Sequence, residues 1–286
     1  MKIDYHIHTK YSDGICSVED IVNLIIKNKI QYFSITDHDT LGADSEINNW
    51  NLNNSVFVTG IEFTCAEQTI NQLSYPFSIH LLGYGLDCEN KELKDALVER
   101  KKRVNNTFLS LLKALSPYVQ HEIFMEEIPI SCGIVMQLCD IHNYIKANFP
   151  LHYKQTAAII NSYATPLSRG NISVKDAISL IHNAGGKAVW AHPFHIYRNF
   201  QKTEISMKEV EYILDELLKL DIDGIEANYL DFSYSQRVTL LELAHKNNII
   251  STGGSDYHGS HGRNSIGIYI PKIQNPFGQN HECHAL

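Results

Sequence analysis

The sequence lacks the features that mark membrane, secreted and disulfide-stabilised proteins. No apolar run approaches the roughly 20 residues that cross a bilayer, and the N-terminus, MKIDYHIHTK, has no apolar signal-peptide core. The six cysteines form no CxxC pair, which argues against a disulfide framework and a zinc ribbon. We therefore expect a cytoplasmic protein with reduced thiols and no contact with a membrane.

An excess of positive charge is also missing. The 24 Lys and Arg residues stand against 32 Asp and Glu residues, which gives a net charge of −8. Extended duplex binding normally requires a basic surface, so stable binding of duplex nucleic acid is not expected. With 286 residues, 44% of them hydrophobic, the chain is long enough for one large domain or a domain with an insertion.

Strand-like and helix-like segments alternate at both ends of the chain. Strands are predicted at residues 2–8, 31–36, 56–63, 78–83, 187–191, 224–227 and 249–253. Helices are predicted at residues 18–29, 174–183, 207–220 and 235–247, the first of them with Ser17 as its N-cap. This alternation predicts an α/β fold with parallel strands, of the barrel type.

The middle of the chain breaks the alternation and is mostly helical. A long helix is predicted at residues 92–115, ended by Ser116-Pro117. Shorter helices are predicted at residues 121–127, 132–148 and 154–163. We interpret residues 89–169 as a helical insertion that caps the substrate site, within a barrel domain formed by residues 1–88 and 170–286.

Histidines and carboxylates collect at or near the ends of the predicted strands. His6 and His8 are two residues apart, so on a strand they point to the same face. The other candidate metal ligands are Asp13, His38, Glu62, His80, His192, Asp256 and His258. In a parallel barrel the carboxyl ends of the strands form one face, where active sites are built. The ligand types suit Mn, Fe or Zn, and the number of ligands suits two or three divalent ions.

Six motifs in order, HIHTKYSDG, TDHDT, GIEF, SIHLLGYG, AHP and GGSDYHG, resemble the PHP (polymerase and histidinol phosphatase) family of metal-dependent phosphoesterases. The resemblance covers residues 1–85 and 185–267 and implies a distorted (β/α)7 TIM-like barrel with a trinuclear site. It implies a first ion held by His6, His8, Glu62 and Asp256, a second held by Glu62, His80 and His192, and a third held by Asp13, His38 and His258. A metal-bridging hydroxide is the implied nucleophile.

Within that family the chain resembles the branch that acts on nucleotides, in its insertion and in the phrases AGGKAVWAHP and DGIEANY. We expect hydrolysis of phosphomonoesters, foremost the 3′-phosphate of nucleoside 3′,5′-bisphosphates, with a small phosphorylated substrate as the partner. The alternatives are a histidinol-phosphate or other small-molecule phosphatase, a 5′-to-3′ exoribonuclease that trims short RNA, and a PHP module that only binds metal or a partner.

Several residues near the motifs have two interpretations each. Asp37 and Asp39 either support His38 from behind or cap the following helix. His195 is a candidate general acid or an ordinary loop histidine. Four arginines are candidate substrate-phosphate contacts, with solvated surface positions as the alternative: Arg100, Arg103, Arg198 and Arg263.

Overall fold

The structure is a computed structural model that describes residues 1–199, 201–259, 265–271 and 276–277. Its strands are β1 (Lys2–Asp4), β2 (Tyr32–Phe33), β3 (Val56–Phe57), β4 (Gly60–Thr64), β5 (His80–Tyr84), β6 (Lys187–Trp190), β7 (His195–Arg198), β8 (Gln201–Glu204), β9 (Gly224–Glu226), β10 (Ile250–Thr252) and β11 (Ile268–Tyr269). Its α-helices are α1 (Val18–Lys27), α2 (Gly42–Ile47), α3 (Lys91–Val119), α4 (Leu138–Asn148), α5 (Tyr153–Ser162), α6 (Ala164–Gly170), α7 (Val174–Asn183), α8 (Met207–Leu218) and α9 (Tyr234–Lys246). The predicted α/β class is confirmed.

The strands form two main sheets and one hairpin. The first sheet has the order β11-β1-β2-β3, the second has the order β10-β9-β6-β5-β4, and β7 pairs with β8. Backbone hydrogen bonds join the two sheets at two places: Tyr5 N–H donates to Gly253 O (3.1 Å), and Asp39 N–H donates to Glu62 O (2.9 Å). Among the described residues the named strands do not close into a single barrel, so the barrel stays a prediction.

Strand β5 departs from the prediction of parallel strands, because it runs antiparallel to both β4 and β6. The segment between β4 and β5 contains no helix, and a parallel pair would need a longer crossover connection. The reversal pairs His80, the first residue of β5, with Thr64, the last residue of β4. His80, at the amino end of β5, therefore lies at the same edge of the sheet as the carboxyl end of β4.

Helix α1 forms where the sequence predicts it. Ser17 is the N-cap, and its side chain forms a reciprocal capping box with Asp20. Ile21, Val22 and Ile25 lie on one face and are buried under the first sheet's apolar residues. This packing fixes the loop that precedes the helix, which carries the HIHTKYSDG motif.

The insertion contains four helices, α3 to α6, around their own buried apolar cluster. Helix α3 continues to Val119, so the predicted end at Ser116-Pro117 is wrong. Proline removes one backbone donor, but Leu115 and Val119 on either side of Pro117 are both buried in the cluster, and that packing holds the last turn. Helix α3 ends at Val119, and the next residue, Gln120, is its C-cap with a left-handed φ of 53°. The boundaries at residues 88 and 170 stay a prediction.

Two further expectations about the insertion need correction. The helix predicted at residues 121–127 is only a short 3-10 turn, Met125–Glu127. The helix predicted at residues 132–148 begins at Leu138, because Gln137 and Asp140 form its N-terminal capping box. The preceding segment, residues 129–137, is a loop, and it reaches the edge of the sheets described next.

Candidate metal centre

All nine predicted ligands lie together at one edge of the sheets, with Glu62 at the middle of the group. Glu62 Oε2 lies 3.1 Å from both His6 Nε2 and His8 Nε2. Glu62 Oε1 lies 3.0 Å from His80 Nδ1 and 3.3 Å from His192 Nε2. One buried carboxylate therefore lies within 3.3 Å of four imidazoles, two on each oxygen.

Asp256 completes the group around His6 and His8. Its Oδ1 atom lies 3.5 Å from His6 Nε2 and 3.4 Å from His8 Nε2. Asp256 and His192 both have positive φ values, 53° and 33°. Such values cost a non-glycine residue about 1–3 kcal/mol, and they occur most often at functional sites.

Asp13 lies between the two remaining predicted ligands, His38 and His258. Its Oδ1 atom lies 3.3 Å from His258 Nε2, and its Oδ2 atom lies 3.8 Å from His38 Nε2. His8 Nδ1 is 3.5 Å from Asp13, so His8 borders this group as well as the first. His38 Nδ1 likewise lies 3.5 Å from Glu62 Oε2. The three groups therefore share members and form one continuous cluster.

The donor set fits divalent cations. His8 Nε2 is buried and has no hydrogen-bond partner, although two carboxylate oxygens lie within 3.4 Å of it. Buried polar atoms are normally hydrogen-bonded, so an unpaired imidazole nitrogen facing carboxylates suits a shared cation. Nitrogen and oxygen ligands without thiolates suit Mn, Fe or Zn.

The electrostatics of the cluster also favour bound positive charge. Burial raises the pKa values of Glu62 and Asp256, but neighbouring imidazolium charges, His6 foremost, outweigh it and hold both pKa values well below the usual range. Burial lowers the pKa of His8, but Asp256 and Glu62 raise it to about 10. Burial lowers the pKa of His192 to about 3. The carboxylates thus stay ionised, and a cation competes with protons for His8.

Glu226 is a member of the site that the sequence analysis missed. Its Oε1 atom lies 3.0 Å from His6 Nδ1, and its Oε2 atom accepts a hydrogen bond from the backbone N–H of His192 (2.8 Å). The signal was present: Gly224–Glu226 reads GIE at a strand end, as the segment around Glu62 does. A carboxylate behind an imidazole fixes the ring's tautomer and orientation for a metal.

Asp37 holds the loop that carries His8 and Asp13. It accepts hydrogen bonds from the backbone N–H and Oγ1 of Thr9 (2.7 and 2.6 Å) and from Ser12 Oγ (2.6 Å). Asp37 therefore supports this loop, and among the described residues its carboxylate has no hydrogen bond with His38.

Asp39 faces the insertion instead. Arg100 Nη2 lies 2.8 Å from its Oδ2 atom, and Thr64 N–H donates to its Oδ1 atom (3.2 Å). Neither aspartate caps α2, whose N-cap is Leu41 without a side-chain hydrogen bond. The capping alternative for Asp37 and Asp39 is therefore wrong.

His195 lies beside the cluster, at the start of β7. Burial and the charge of Lys202 lower its pKa to about 4. With this pKa the imidazole of His195 is neutral at pH 7, whereas a general acid must be protonated. The lowered pKa therefore does not favour the general-acid role. That role stays a prediction without structural support.

The predicted arginines divide between two environments. Arg100 lines the same cavity as Asp13, His38 and His80. It forms an ion pair with Asp39, and its Nε donates to Asn171 Oδ1 (3.1 Å). Arg103 is exposed and donates to Gly170 O (3.0 Å). Arg198 is exposed, with its guanidinium 4.0 Å from the centroid of the Tyr75 ring. Arg263 lies outside the described residues, so of these four Arg100 alone is placed by the structure at the site.

Two cavities meet at the Arg100–Asp39 pair. The metal-side cavity, about 530 Å³, is lined by Asp13, His38 and His80 and, on the insertion side, by residues such as Phe108. The outer cavity, about 620 Å³, lies mostly among apolar residues of the insertion, and Arg100 and Asp39 line both cavities. The insertion thus forms one wall of the space above the cluster.

Comparisons with known proteins find a matching family model and related sequences. The family model for the PHP domain matches residues 4–252. The 5′-3′ exoribonuclease Rnm of Salmonella typhimurium is 23% identical over 270 residues, covering 89% of this chain and 84% of the relative. The 3′,5′-nucleoside bisphosphate phosphatase of Chromobacterium violaceum is 22% identical over 306 residues, covering 99% of this chain and 98% of the relative.

A solved structure shares the fold. A Chromobacterium violaceum protein described as an amidohydrolase, with bound sulfate and no metal, superposes with a TM-score of 0.70 at 20% identity, covering 96% of this chain and 94% of that one. At this identity the likeness extends to the fold alone.

Among the described helices, none has both the length and the apolar character that a bilayer crossing requires.

Proposed function

The chain belongs to the PHP domain family of metal-dependent phosphoesterases, and from this premise we propose that it hydrolyses phosphomonoesters of nucleotides, foremost the 3′-phosphate of nucleoside 3′,5′-bisphosphates. The observation that carries the proposal is Glu62, one buried carboxylate with two imidazoles within 3.3 Å of each oxygen. A carboxylate in this position is suited to bridge two cations, the arrangement that serves in-line displacement at phosphorus.

We propose three ion sites, of which the first and the second share Glu62. The first site consists of His6, His8, Glu62 and Asp256, the second of Glu62, His80 and His192, and the third of Asp13, His38 and His258. When bound, divalent ions polarise the phosphoryl oxygens and activate the attacking water. The contacts of 3.0–3.8 Å within each set support the assignment.

The chain's own residues favour a substrate with two phosphates. The metal-side cavity has Asp13, His38 and His80 on one side and Arg100 on the insertion side. Arg100 is 15% exposed and is held by Asp39 and Asn171, so its guanidinium is fixed beside the cavity. A second phosphate that projects away from the cluster would meet this fixed cation.

The residues around the cavity also supply specific surroundings for the substrate. The ring of Tyr197 stacks on His80, with ring centroids 4.2 Å apart. Apolar side chains of the insertion, Phe108 and Met136 among them, line the cavity beside the cluster. We further propose that the two sheets together form one distorted barrel; the backbone hydrogen bonds Tyr5–Gly253 and Asp39–Glu62 support this.

A phosphate-release assay with the metal-loaded protein tests the substrate. Mn, Fe or Zn is added to the purified chain, and release is compared for nucleoside 3′,5′-bisphosphates, 5′-monophosphates and histidinol phosphate. Bisphosphates are expected to have the highest kcat/KM. Equal or lower kcat/KM for bisphosphates would overturn the substrate assignment, and a Glu62→Gln variant shows whether any release comes from a contaminating phosphatase.

A second candidate function is 5′-to-3′ trimming of short RNA. The likeness to Rnm and the outer cavity beyond Arg100 favour it, because a second nucleotide needs space outside the metal-side cavity. Release of mononucleotides from a 5′-phosphorylated trinucleotide identifies this activity. Turnover of bisphosphates without cleavage of the trinucleotide excludes it.

A further inference from the structure

The β7–β8 hairpin follows His192 directly and lies against the metal centre. Its strands pair antiparallel, with His195 opposite Glu204 and Tyr197 opposite Lys202. The backbone of Tyr197 exchanges two hydrogen bonds with Ser78, at 2.8 and 2.9 Å. Because Ser78 lies two residues before β5, the hairpin is fixed to the strand that begins with His80.

Directly opposite residues of an antiparallel pair point to the same face. Tyr197 and Lys202 therefore share one face of the hairpin, and both contact the cluster. The Tyr197 ring stacks on His80, while Lys202 Nζ lies 3.8 Å from Asp256 Oδ2. His80 and Asp256 belong to different proposed ion sites, so this hairpin face extends across the centre.

Lys202 has a distinctive position among the basic residues. Within the part of the chain that the structure describes, it is the one lysine or arginine within 4.0 Å of a carboxylate of the nine proposed ligands. Arg100, the other basic residue at the site, pairs with Asp39, which is outside that set. The Lys202 side chain is about one-third exposed, so a molecule from solvent can reach it.

Lys202 is not needed to satisfy Asp256. Tyr229 already donates a hydrogen bond to Asp256 Oδ2 at 2.7 Å, whereas the ammonium at 3.8 Å is too far for a hydrogen bond. Its one hydrogen bond to a described residue is to the Tyr229 hydroxyl, at 3.0 Å. An ammonium group has three donors, so two can reach a ligand.

We propose that Lys202 binds a terminal oxygen of the substrate's phosphate at the metal centre. The inference rests on the proposed phosphoesterase function. A phosphate ester carries more anionic oxygens than the ions need to contact, and a flexible lysine supplies a point charge and donors to the remaining oxygen. Tyr229 positions the ammonium group at the edge of the cluster.

Binding of inorganic phosphate to the manganese-loaded protein tests this role by calorimetry. Lys202→Gln is expected to weaken phosphate binding by about 10- to 100-fold, since a charge-assisted hydrogen bond is lost, and Lys202→Arg is expected to recover part of it. Lys208→Gln, an exposed lysine on α8, is the matched control with unchanged binding. The metal content of all variants is measured in parallel.

The alternative is that Lys202 only positions Asp256 through Tyr229. In that case Lys202→Gln and Tyr229→Phe would lower the metal content together, which would overturn the proposal, as would unchanged phosphate binding in Lys202→Gln. Unchanged metal content with weakened phosphate binding supports it. If the wild-type protein hydrolysed no phosphoester, the proposed function would fail, while the phosphate-binding comparison would still decide the role of Lys202.

Discussion

The carboxylate of Glu226 lies 3.0 Å from Nδ1 of His6, and both side chains are fully buried. The other oxygen of the same carboxylate binds the backbone N–H of His192 at 2.8 Å. His6 and His192 are proposed ligands of two different ions. One carboxylate thus holds a ligand of the first site and a ligand of the second site at a fixed separation.

Glu226→Gln should therefore weaken metal binding at the first and second sites. An amide keeps the shape but loses the charge that raises the basicity of His6, and changes of this kind cost about 10- to 100-fold in metal affinity. Metal content after dialysis against a weak chelator measures the effect. Glu211→Gln, an exposed residue of α8, serves as the control, and equal metal retention by both variants would refute the assigned role.

Asp13→Ala and His38→Ala should each remove the third ion and leave the others. The expected stoichiometry falls from about three ions per chain to about two, and kcat falls about 100-fold or more because charge stabilisation at the phosphoryl group is lost. Elemental analysis and circular dichroism measure occupancy and folding. Asp95→Ala, on the exposed face of α3, should change neither. Full activity in both site variants would disprove the trinuclear arrangement.

Gly133, in the insertion, lies in close backbone contact with Ser12, in the loop that carries Asp13. Its φ is +63°, and a Cβ atom there would lie 1.7 Å from Ser12 O. Ile134 N–H donates to the same oxygen at 3.2 Å. Gly133→Ala should displace this contact, lower the third-site metal affinity about tenfold and expose residues 129–137 to proteolysis.

Gly85→Ala is the matched control for that prediction. Gly85 has a similar φ of +68°, but a Cβ atom there would have no atom of another described segment within 4 Å. Both variants pay the cost of a left-handed backbone, about 1 kcal/mol, and only Gly133→Ala meets a neighbour. Similar metal affinity and protease sensitivity in the two variants would show that the Ser12 contact has no role at the site.

Asp44 should give the folded chain a pH-dependent stability. Burial raises its pKa from 3.8 to about 7, so the folded state holds this proton more tightly than the unfolded state does. Its stabilising contribution is complete below pH 4 and is lost as the pH rises through 7, by about 4 kcal/mol. Urea unfolding of wild type and Asp44→Asn, both with a chelator, measures it. A wild-type advantage that did not decline between pH 4 and 8 would contradict the assignment.

Much of the site could be predicted because its signals are local. His6 and His8 are adjacent on one face, and the GIEF, AHP and GGSDYHG segments are recognisable without a structure. Helices with a capping residue and an apolar face, such as Val174–Asn183, lie where they were expected. In such helices the apolar residues recur at helical spacing and are the ones buried in the core, so the local sequence and the tertiary packing favour the same structure.

The rest depends on contacts that local patterns do not contain. The direction of β5 is decided by a connection without a helix, and helix α3 passes through Pro117 because of the buried residues around it. The β7–β8 hairpin reads HIYR and QKTE, too short for a clear alternation. Lys202 and Glu226 gain their importance from partners more than 20 residues away.

The pairing of the first strand region with the last has a consequence for the order of assembly. His6 and His8 precede the other proposed ligands in the sequence, but Tyr5 and His8 take their backbone hydrogen-bond partners from Gly253 and Tyr257. Closure over almost the whole chain is entropically costly and slow. The proposed first ion site needs this long-range contact, so we expect it to form late in folding. A ribosome-stalled fragment that ends at residue 250 should bury the insertion's apolar cluster but bind no ion at the first site.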